Sequence, residues 1–283
     1  MWKLLRYLLR AIGPLVALGV LLLLWGLIEA RSDPRVRRAE ILLADWPPDA
    51  PPVRVVLLSD IHAGTPTVTP ARLTRIVAQV NALAPDLILI AGDFTPASDP
   101  LEARTVRYAL APLAGLRARL GVVAVPGNHD HWTGIGALNA ALAAAGIEVL
   151  ANRAVVRGPL VIGGVDDDYS RHADLSGTIA QMRRLRGARL ILTHSPDIAP
   201  DLPTGFELLF AGHTHCGQGV IPGYGGVVSV SKFGERYRCG VIREGARTVV
   251  VTAGIGTSGP GLRINAPPDL WLITLRGKAV LVR

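Results

Sequence analysis

Val53-Arg54-Val55-Val56-Leu57-Leu58-Ser59-Asp60-Ile61-His62 runs from a nearly unbroken apolar stretch straight into a carboxylate and an imidazole. The apolar part does not alternate with polar residues, as a strand wetted on one face would. It reads as a strand buried on both faces, and in open α/β sheets ligands bind beyond the carboxyl ends of such strands. Four later places repeat the arrangement. Leu87 to Ala91 precedes Gly92-Asp93, and Val122 to Val125 precedes Gly127-Asn128-His129-Asp130. Leu190 to Leu192 precedes Thr193-His194, and Leu208 to Ala211 precedes Gly212-His213-Thr214-His215. Five strand ends therefore converge on one rim.

Between these runs, helical patterns are predicted from about Pro70 to Leu83, Leu101 to Ala114, Gly136 to Ala145 and Leu175 to Leu185. The first opens on Thr69-Pro70, a capping residue followed by proline at the first helical position. Short strands are expected near 148–150, 154–157 and 160–165. Strand and helix in alternation imply a layered α/β domain. Beyond Gly212 the chain is Gly-rich, with strand-like runs at 226–230, 239–243, 248–252 and 270–274, which suggests a second, more antiparallel sheet packed on the first. With 283 residues, about half of them hydrophobic, one large domain accounts for the length.

The net charge of +8 would ordinarily raise nucleic acid as a partner. Its distribution argues otherwise. Up to residue 40, Lys3, Arg6, Arg10, Arg31, Arg35, Arg37 and Arg38 outnumber Glu29, Asp33 and Glu40, a net of +4 that flanks one uncharged apolar segment, residues 11–28. That segment is just long enough to span a bilayer, and a basic collar suits anionic headgroups. Trp2, Tyr7 and Trp25 lie where interfacial aromatics are expected, and Leu27-Ile28-Glu29-Ala30 makes a poor signal-cleavage site. The organisation expected is a basic flank and anchor over 1–31, a proline-rich connector over 32–52 and a catalytic domain over 53–283. A basic start before the first apolar segment favours an uncleaved single-pass anchor in a bacterial inner membrane, with the catalytic domain outside.

Two metal ions about 3.5 to 4 Å apart would need a bridging ligand, and a carboxylate such as Asp93, at the tip of a buried strand, is suitably placed. Asp60 and His62, two apart on an extended backbone, would point to the same side and grip one ion, and His213 and His215 share that spacing. Asn128 offers a neutral amide oxygen. Imidazole mixed with hard oxygen fits manganese, iron or zinc and disfavours calcium or copper. Cys216 and Cys239 are too few for a disulfide framework, and Cys216 reads as a small residue beside His215 rather than a ligand. His131 and His172 match no ligand position, and Asp166-Asp167-Asp168 reads as a solvated turn.

Taken together, these motifs resemble the calcineurin-like metallophosphoesterases over nearly all of the chain after residue 50. The strings Gly212-His213-Thr214-His215-Cys216-Gly217-Gln218 and Gly254-Ile255-Gly256-Thr257-Ser258-Gly259 are similar to the membrane-anchored bacterial branch of the phosphodiesterases YaeI and YkuE. The resemblance implies an α/β fold of two mixed β-sheets sandwiched between helices, here behind one N-terminal transmembrane helix. It further implies two divalent metal ions, manganese foremost. Asp60, His62, Asp93 and His215 would hold one ion, and Asp93, Asn128, His194 and His213 the other. A metal-bridging hydroxide would attack phosphorus, with Asn128 and His129 binding phosphate and His129 the candidate proton donor. Many relatives carry a second Asp soon after Gly-Asp to pair with this His. Here Phe94, Thr95 and Pro96 follow instead, so a phosphate-binding role stays open for His129, with Asp130 as an orienter or a structural residue. Arg263 is one of many arginines that could meet a substrate phosphate.

The expected activity is hydrolysis of a phosphodiester or pyrophosphate in a phosphorylated small molecule or a lipid-linked cell-envelope precursor, with the membrane as partner through residues 11–28. A nuclease or cyclic-nucleotide phosphodiesterase is the alternative. It is disfavoured because aromatics make up only 5% of the chain and no basic stretch interleaves with them, so no specific nucleic acid is expected. A non-catalytic scaffold would have lost ligand residues, and none is missing.

Overall fold

The structure, a computed structural model, describes residues 2–96 and 100–278, without the side chains of 3–11. The side chains of Lys3, Arg6, Tyr7 and Arg10 and the end of the expected catalytic domain past 278 fall outside it. In chain order come α1 (Trp2–Arg31), β1 (Arg35–Leu43), β2 (Val53–Leu58), α2 (Pro70–Ala82), β3 (Leu87–Ala91), α3 (Ala103–Leu110) and β4 (Val122–Val125). Next are α4 (Asn128–Thr133), α5 (Ile135–Ala144), β5 (Glu148–Val149), β6 (Arg153–Arg157), β7 (Leu160–Gly164), α6 (Leu175–Met182), β8 (Ala188–Leu192) and β9 (Leu208–Ala211). A small hairpin, β10 (Val220–Ile221) and β11 (Gly225–Gly226), precedes β12 (Gly240–Glu244), β13 (Arg247–Val251) and β14 (Asp269–Gly277).

Among the described residues the strands form two six-stranded mixed sheets. The first runs β1-β14-β2-β3-β4-β5 and the second β12-β13-β9-β8-β7-β6. Strands β2 to β5 are mutually parallel, as are β7, β8, β9 and β13. Side-chain alternation then fixes the layers. Val55, Leu57, Leu89 and Val123 of the first sheet meet Leu190, Leu192, Phe210 and Val250 of the second in the central core. Their neighbours Val56, Leu58, Ile88 and Ile90 point the other way, onto Ile76 and Val80 of α2, Leu110 of α3 and Leu138 of α5. On the far side, Ile179 and Met182 of α6 cover Val161, Ile191 and Leu209. Helix, sheet, sheet, helix is thus the layer order, and burial on both faces explains the unbroken apolar runs. Thr69 accepts a hydrogen bond from the Arg72 N–H at 3.3 Å, capping α2 as its sequence predicts.

Three expectations need correction. The connector over 32–52 contains β1, which pairs in parallel with β14 along nine residues, and Ile41 and Trp46 reach the central core. Charges at Arg35, Arg37 and Arg38 conceal this strand in the sequence because it is a sheet edge, where charge blocks further pairing. The last third does not build a sheet of its own. Strand β14 returns to lie antiparallel to β2 in the first sheet, while β12 and β13 extend the second. Of the run expected over 226–230, only Gly226 is in a strand.

Helix α1 contains a segment, Ile12–Arg31, of mean hydropathy 2.1, long and apolar enough to cross a membrane. Its far end is not a free leash. The Arg263 N–H donates to the Gly26 carbonyl at 3.0 Å, and Glu29 and Ala30 are buried against the domain.

Candidate metal centre

The turns after β2, β3, β4, β8 and β9 bring Asp60, His62, Asp93, Asn128, His194, His213 and His215 together, all buried. The backbone is strained to do so. Asp60, His62, Asp93, His213 and His215 have φ between 45° and 69°, the left-handed region that costs a non-glycine residue about 1–3 kcal/mol and recurs at functional sites. The extended geometry expected for Asp60 and His62 is therefore replaced by two left-handed turns. Close approach also demands glycine: a Cβ on Gly92, at φ +80°, would stand 2.8 Å from His194 Nδ1 and from the Gly127 nitrogen.

Two groups of ligand-type atoms lie within 4.8 Å of one another, Asp60 with His62 and His215, and Asp60 with Asp93 and His194. In the first, His62 Nε2 is 3.2 Å from His215 Nε2, which is 3.3 Å from Asp60 Oδ1. In the second, Asp93 Oδ2 is 3.3 Å from His194 Nε2 and 3.6 Å from His62 Nε2. This single oxygen faces an imidazole of each group. Asp93 Oδ1 accepts the His129 N–H at 3.0 Å, which fixes the carboxylate against the start of α4. His213 is in neither group, but its Nδ1 comes within 3.2 Å of His194 Nε2, on the side of the second group, whereas His215 belongs to the first.

Outer contacts aim these rings. His62 Nδ1 lies 3.0 Å from the Thr95 carbonyl and His194 Nδ1 2.7 Å from that of Ala91, which leaves each Nε2 turned inward. Asp60 Oδ2 accepts from the Ser59 hydroxyl and, at 3.0 Å, from the His213 N–H. Burial pushes His62 down to about 4 and His213 to about 3 and holds His215 well below the ordinary value, so all three are neutral imidazoles near pH 7, the ligand form. Burial would also lower His194, but the Asp93 carboxylate outweighs it and raises this histidine. Burial works against ionisation of Asp93, yet the charge on His194 and the hydrogen bond from it overcome this and lower its pKa. Asp60 Oδ1 and Asn128 Oδ1 are buried with no hydrogen-bond partner. A buried oxygen left so costs about 1–3 kcal/mol unless something else satisfies it. The donor set thus fits a bound cation.

His129 opens α4 at the edge of this cluster, half-buried, its ring edge-on to His62 at 4.9 Å between centroids. Asp130 does not orient it. Its Oδ1 accepts from the Phe94 and Thr95 N–H groups at 2.9 and 3.2 Å and its Oδ2 from Gly127 at 2.9 Å, so it splices the two loops that carry Asp93 and Asn128. Burial raises Asp130 to about 7.

Several residues differ from their sequence reading. Asp166 and Asp167 are not a solvated turn but buried, and Asp166 Oδ1 holds His131 Nε2 at 2.7 Å while His131 stacks on His172 at 3.7 Å. Arg263 meets no substrate space. It is fully buried and spends its donors on the carbonyls of Ala253, Gly254, Gly256, Ala266 and His215. Cys216 and Cys239 are joined in a disulfide that ties the residue after His215 to the start of β12. Two aromatic residues at the rim went unread: Trp132, 4.9 Å from the His129 ring, and Tyr169, 4.8 Å from that of His213. Trp132 follows His129 by three, one helical turn, which is a readable signal. Tyr169 has none, since it is brought in from the loop after β7.

A sequence profile described as calcineurin-like phosphoesterase matches residues 53–217, the part that builds all seven clustered residues. The chain is 32% identical over 277 residues to a zebrafish (Danio rerio) transmembrane protein with metallophosphoesterase domain, covering 90% of this chain and 60% of that protein. With the cattle (Bos taurus) protein of the same description it shares 32% over 213 residues, 68% of this chain and 47% of the relative. It is 29% identical over 232 residues to the metallophosphoesterase YkuE of Bacillus subtilis, covering 79% of each. The chain thus spans about half to three-fifths of the length of the two vertebrate relatives. With the profile covering more than half of the chain and ending just past the Gly-His-Thr-His string, the chain belongs to the calcineurin-like phosphoesterase family.

Proposed function

We propose that the protein hydrolyses phosphoric esters with two divalent ions, and that its substrate is a diester or pyrophosphate in a lipid-linked or cell-envelope precursor. The observation that carries the reading is the pair of buried oxygens that accept no hydrogen bond, Asp60 Oδ1 and Asn128 Oδ1, in a cluster of imidazole nitrogens that reaches within 3.3 Å of Asp60 Oδ1. Asp60, His62, Asp93 and His215 are assigned to one ion, and Asp93, Asn128, His194 and His213 to the other. Manganese is the foremost choice and iron or zinc the next, because imidazole and hard oxygen donors are mixed. Such a pair of ions supplies Lewis acidity and a nucleophile near neutral pH. The chain's own part is to orient. Asn128 and His129 hold the phosphoryl group, and His129, fixed through its backbone to Asp93, delivers a proton to the leaving oxygen.

Among the described residues the guanidinium in contact with the cluster is that of Arg263, 3.4 Å from His215 Nδ1, and it is spent on carbonyls. A doubly charged terminal phosphate would find little side-chain cation there, whereas a singly charged diester needs less. A bis-aryl phosphate is therefore expected to exceed the matching monoester in kcat/KM by on the order of tenfold, the effect of about 1.4 kcal/mol. Paired aryl phosphates decide it, and a preference for the monoester would sink the diester assignment. A nucleoside-bearing ester is the second reading, favoured by the stacking faces of Trp132 and Tyr169 at the rim.

Residues 12–31 are read as the anchor in a bacterial inner membrane. The Cys216–Cys239 pairing supports a catalytic domain on the oxidising, outer side.

A further inference from the structure

Exposed apolar side chains are ordinary when scattered singly and informative when grouped. Outside α1, half of the large exposed ones among the described residues fall within ten residues: Ile221, Tyr224, Val227, Val228 and Val230. They belong to hairpin β10–β11 and the chain just after it. Tyr224, at the turn, is 78% exposed, and Val227 and Val228 are 60% and 58% exposed. The turn Ile221-Pro222-Gly223-Tyr224 closes with the Tyr224 N–H on the Ile221 carbonyl at 3.0 Å, with Gly223 at φ +82° as a proline-led turn of this kind requires. The apolar display is thus a formed element rather than a loose tail.

Its position gives it a partner. The Val220 N–H donates to the Ile264 carbonyl at 2.8 Å and the Ile264 N–H to the Gln218 carbonyl at 2.9 Å, so the hairpin base is stitched to the segment Leu262 to Ile264. That segment is in turn packed on α1. Arg263 donates its N–H to Gly26, where a Cβ would stand 3.2 Å from the Ile264 side chain. Gly26 lies five residues before Arg31, roughly 7 Å back along the helix at 1.5 Å per residue. The segment Ile12–Arg31 is about 30 Å long, the thickness of a hydrocarbon core. With α1 spanning the bilayer, the Leu262 to Ile264 segment would lie against the outermost turns of the span, the layer in which interfacial elements rest. Tyrosine and valine beside it suit that layer, with aromatic hydroxyls at headgroup level.

We propose that the hairpin and the chain through Val230 lie in the bilayer interface beside α1, a second membrane contact that holds the mouth of the metal centre against the lipid surface. The link to the site is short. Gly217, two residues after His215, packs so closely on the hairpin that a Cβ there would stand 2.9 Å from the Gly226 Cα. Lys232, exposed and two residues after Val230, adds a cation next to the patch in the chain, and exposed Arg31 closes α1. The inference rests on α1 being the anchor and deepens the lipid-linked substrate proposed above: a substrate entering from the membrane plane would reach the ions without leaving the lipid.

The test uses the full chain reconstituted in phosphatidylcholine–phosphatidylglycerol vesicles. The native cysteines are paired, so Val228→Cys, with Val156→Cys on β6 as an exposed control, takes a polarity-sensitive thiol dye selectively. Expected is several-fold brighter, blue-shifted emission at position 228, quenched by brominated phosphatidylcholine, and water-like emission at 156. Emission at 228 equal to the control would overturn the contact. The second arm is the triple variant Tyr224→Ser, Val227→Ser, Val228→Ser. It should lose about tenfold, or about 1.4 kcal/mol, in kcat/KM on a vesicle-embedded lipid pyrophosphate and keep its rate on a soluble aryl diester. Equal loss on both would make the hairpin a structural prop and refute the inference. If the unaltered chain hydrolyses neither, the phosphoesterase reading falls while the dye result still decides the hairpin.

Discussion

Replacing Asp93 with Asn is expected to drive hydrolysis of an aryl phosphodiester to background. Asp93 Oδ2 is the oxygen that faces both His194 and His62, so its loss weakens both assigned metal sites at once. Withdrawing several kcal/mol of charge stabilisation, taken as about 4, corresponds to roughly a thousandfold in rate. Metal content should fall with it. Folding should survive, because the substituted amide keeps an oxygen that can accept the His129 N–H, and the unfolding midpoint of the variant serves as the control. Full activity with undiminished metal would remove Asp93 from the bridging position.

Replacing His129 with Ala should act differently. His129 is in neither group of ligand atoms, so metal content should hold while kcat falls by about 10²- to 10⁴-fold, the usual worth of a positioned proton donor. Leaving-group chemistry separates its two possible roles. A proton donor matters most when the departing alcohol is a poor leaving group, so the loss should be largest for an alkyl ester and smaller for a 4-nitrophenyl ester. Equal losses across leaving groups would leave His129 a phosphate binder only. Asp130 offers no rescue, since its carboxylate is committed to the Phe94, Thr95 and Gly127 N–H groups.

Much of the fold was legible because β2, β3, β4, β8 and β9 are buried on both faces, which writes uninterrupted apolar runs into the sequence. The polar residues beyond each run then stand out as a rim. Helix α2 was legible from its cap, a purely local signal. What escaped is what depends on distant partners. The β1 strand, rich in Arg, carries an edge-strand pattern that reads as a polar linker, and only its pairing with β14 makes it a strand. The same distance hid the return of β14 to the first sheet. At the centre, residue types were readable but geometry was not. Asp60 and His62 look like an extended pair until the neighbouring loops force both into left-handed turns. Arg263 shows that residue type alone does not place a group: a guanidinium that could hold a phosphate instead ties the glycine-rich loop to the turn carrying His215.

Metal content of the purified full chain, by elemental analysis alongside diester hydrolysis before and after chelation, tests the central claim most directly. About two divalent ions per chain are expected. Hydrolysis should be lost on chelation and restored by added manganese. A chain that holds no ion and hydrolyses the diester equally well with chelator would contradict the dinuclear centre.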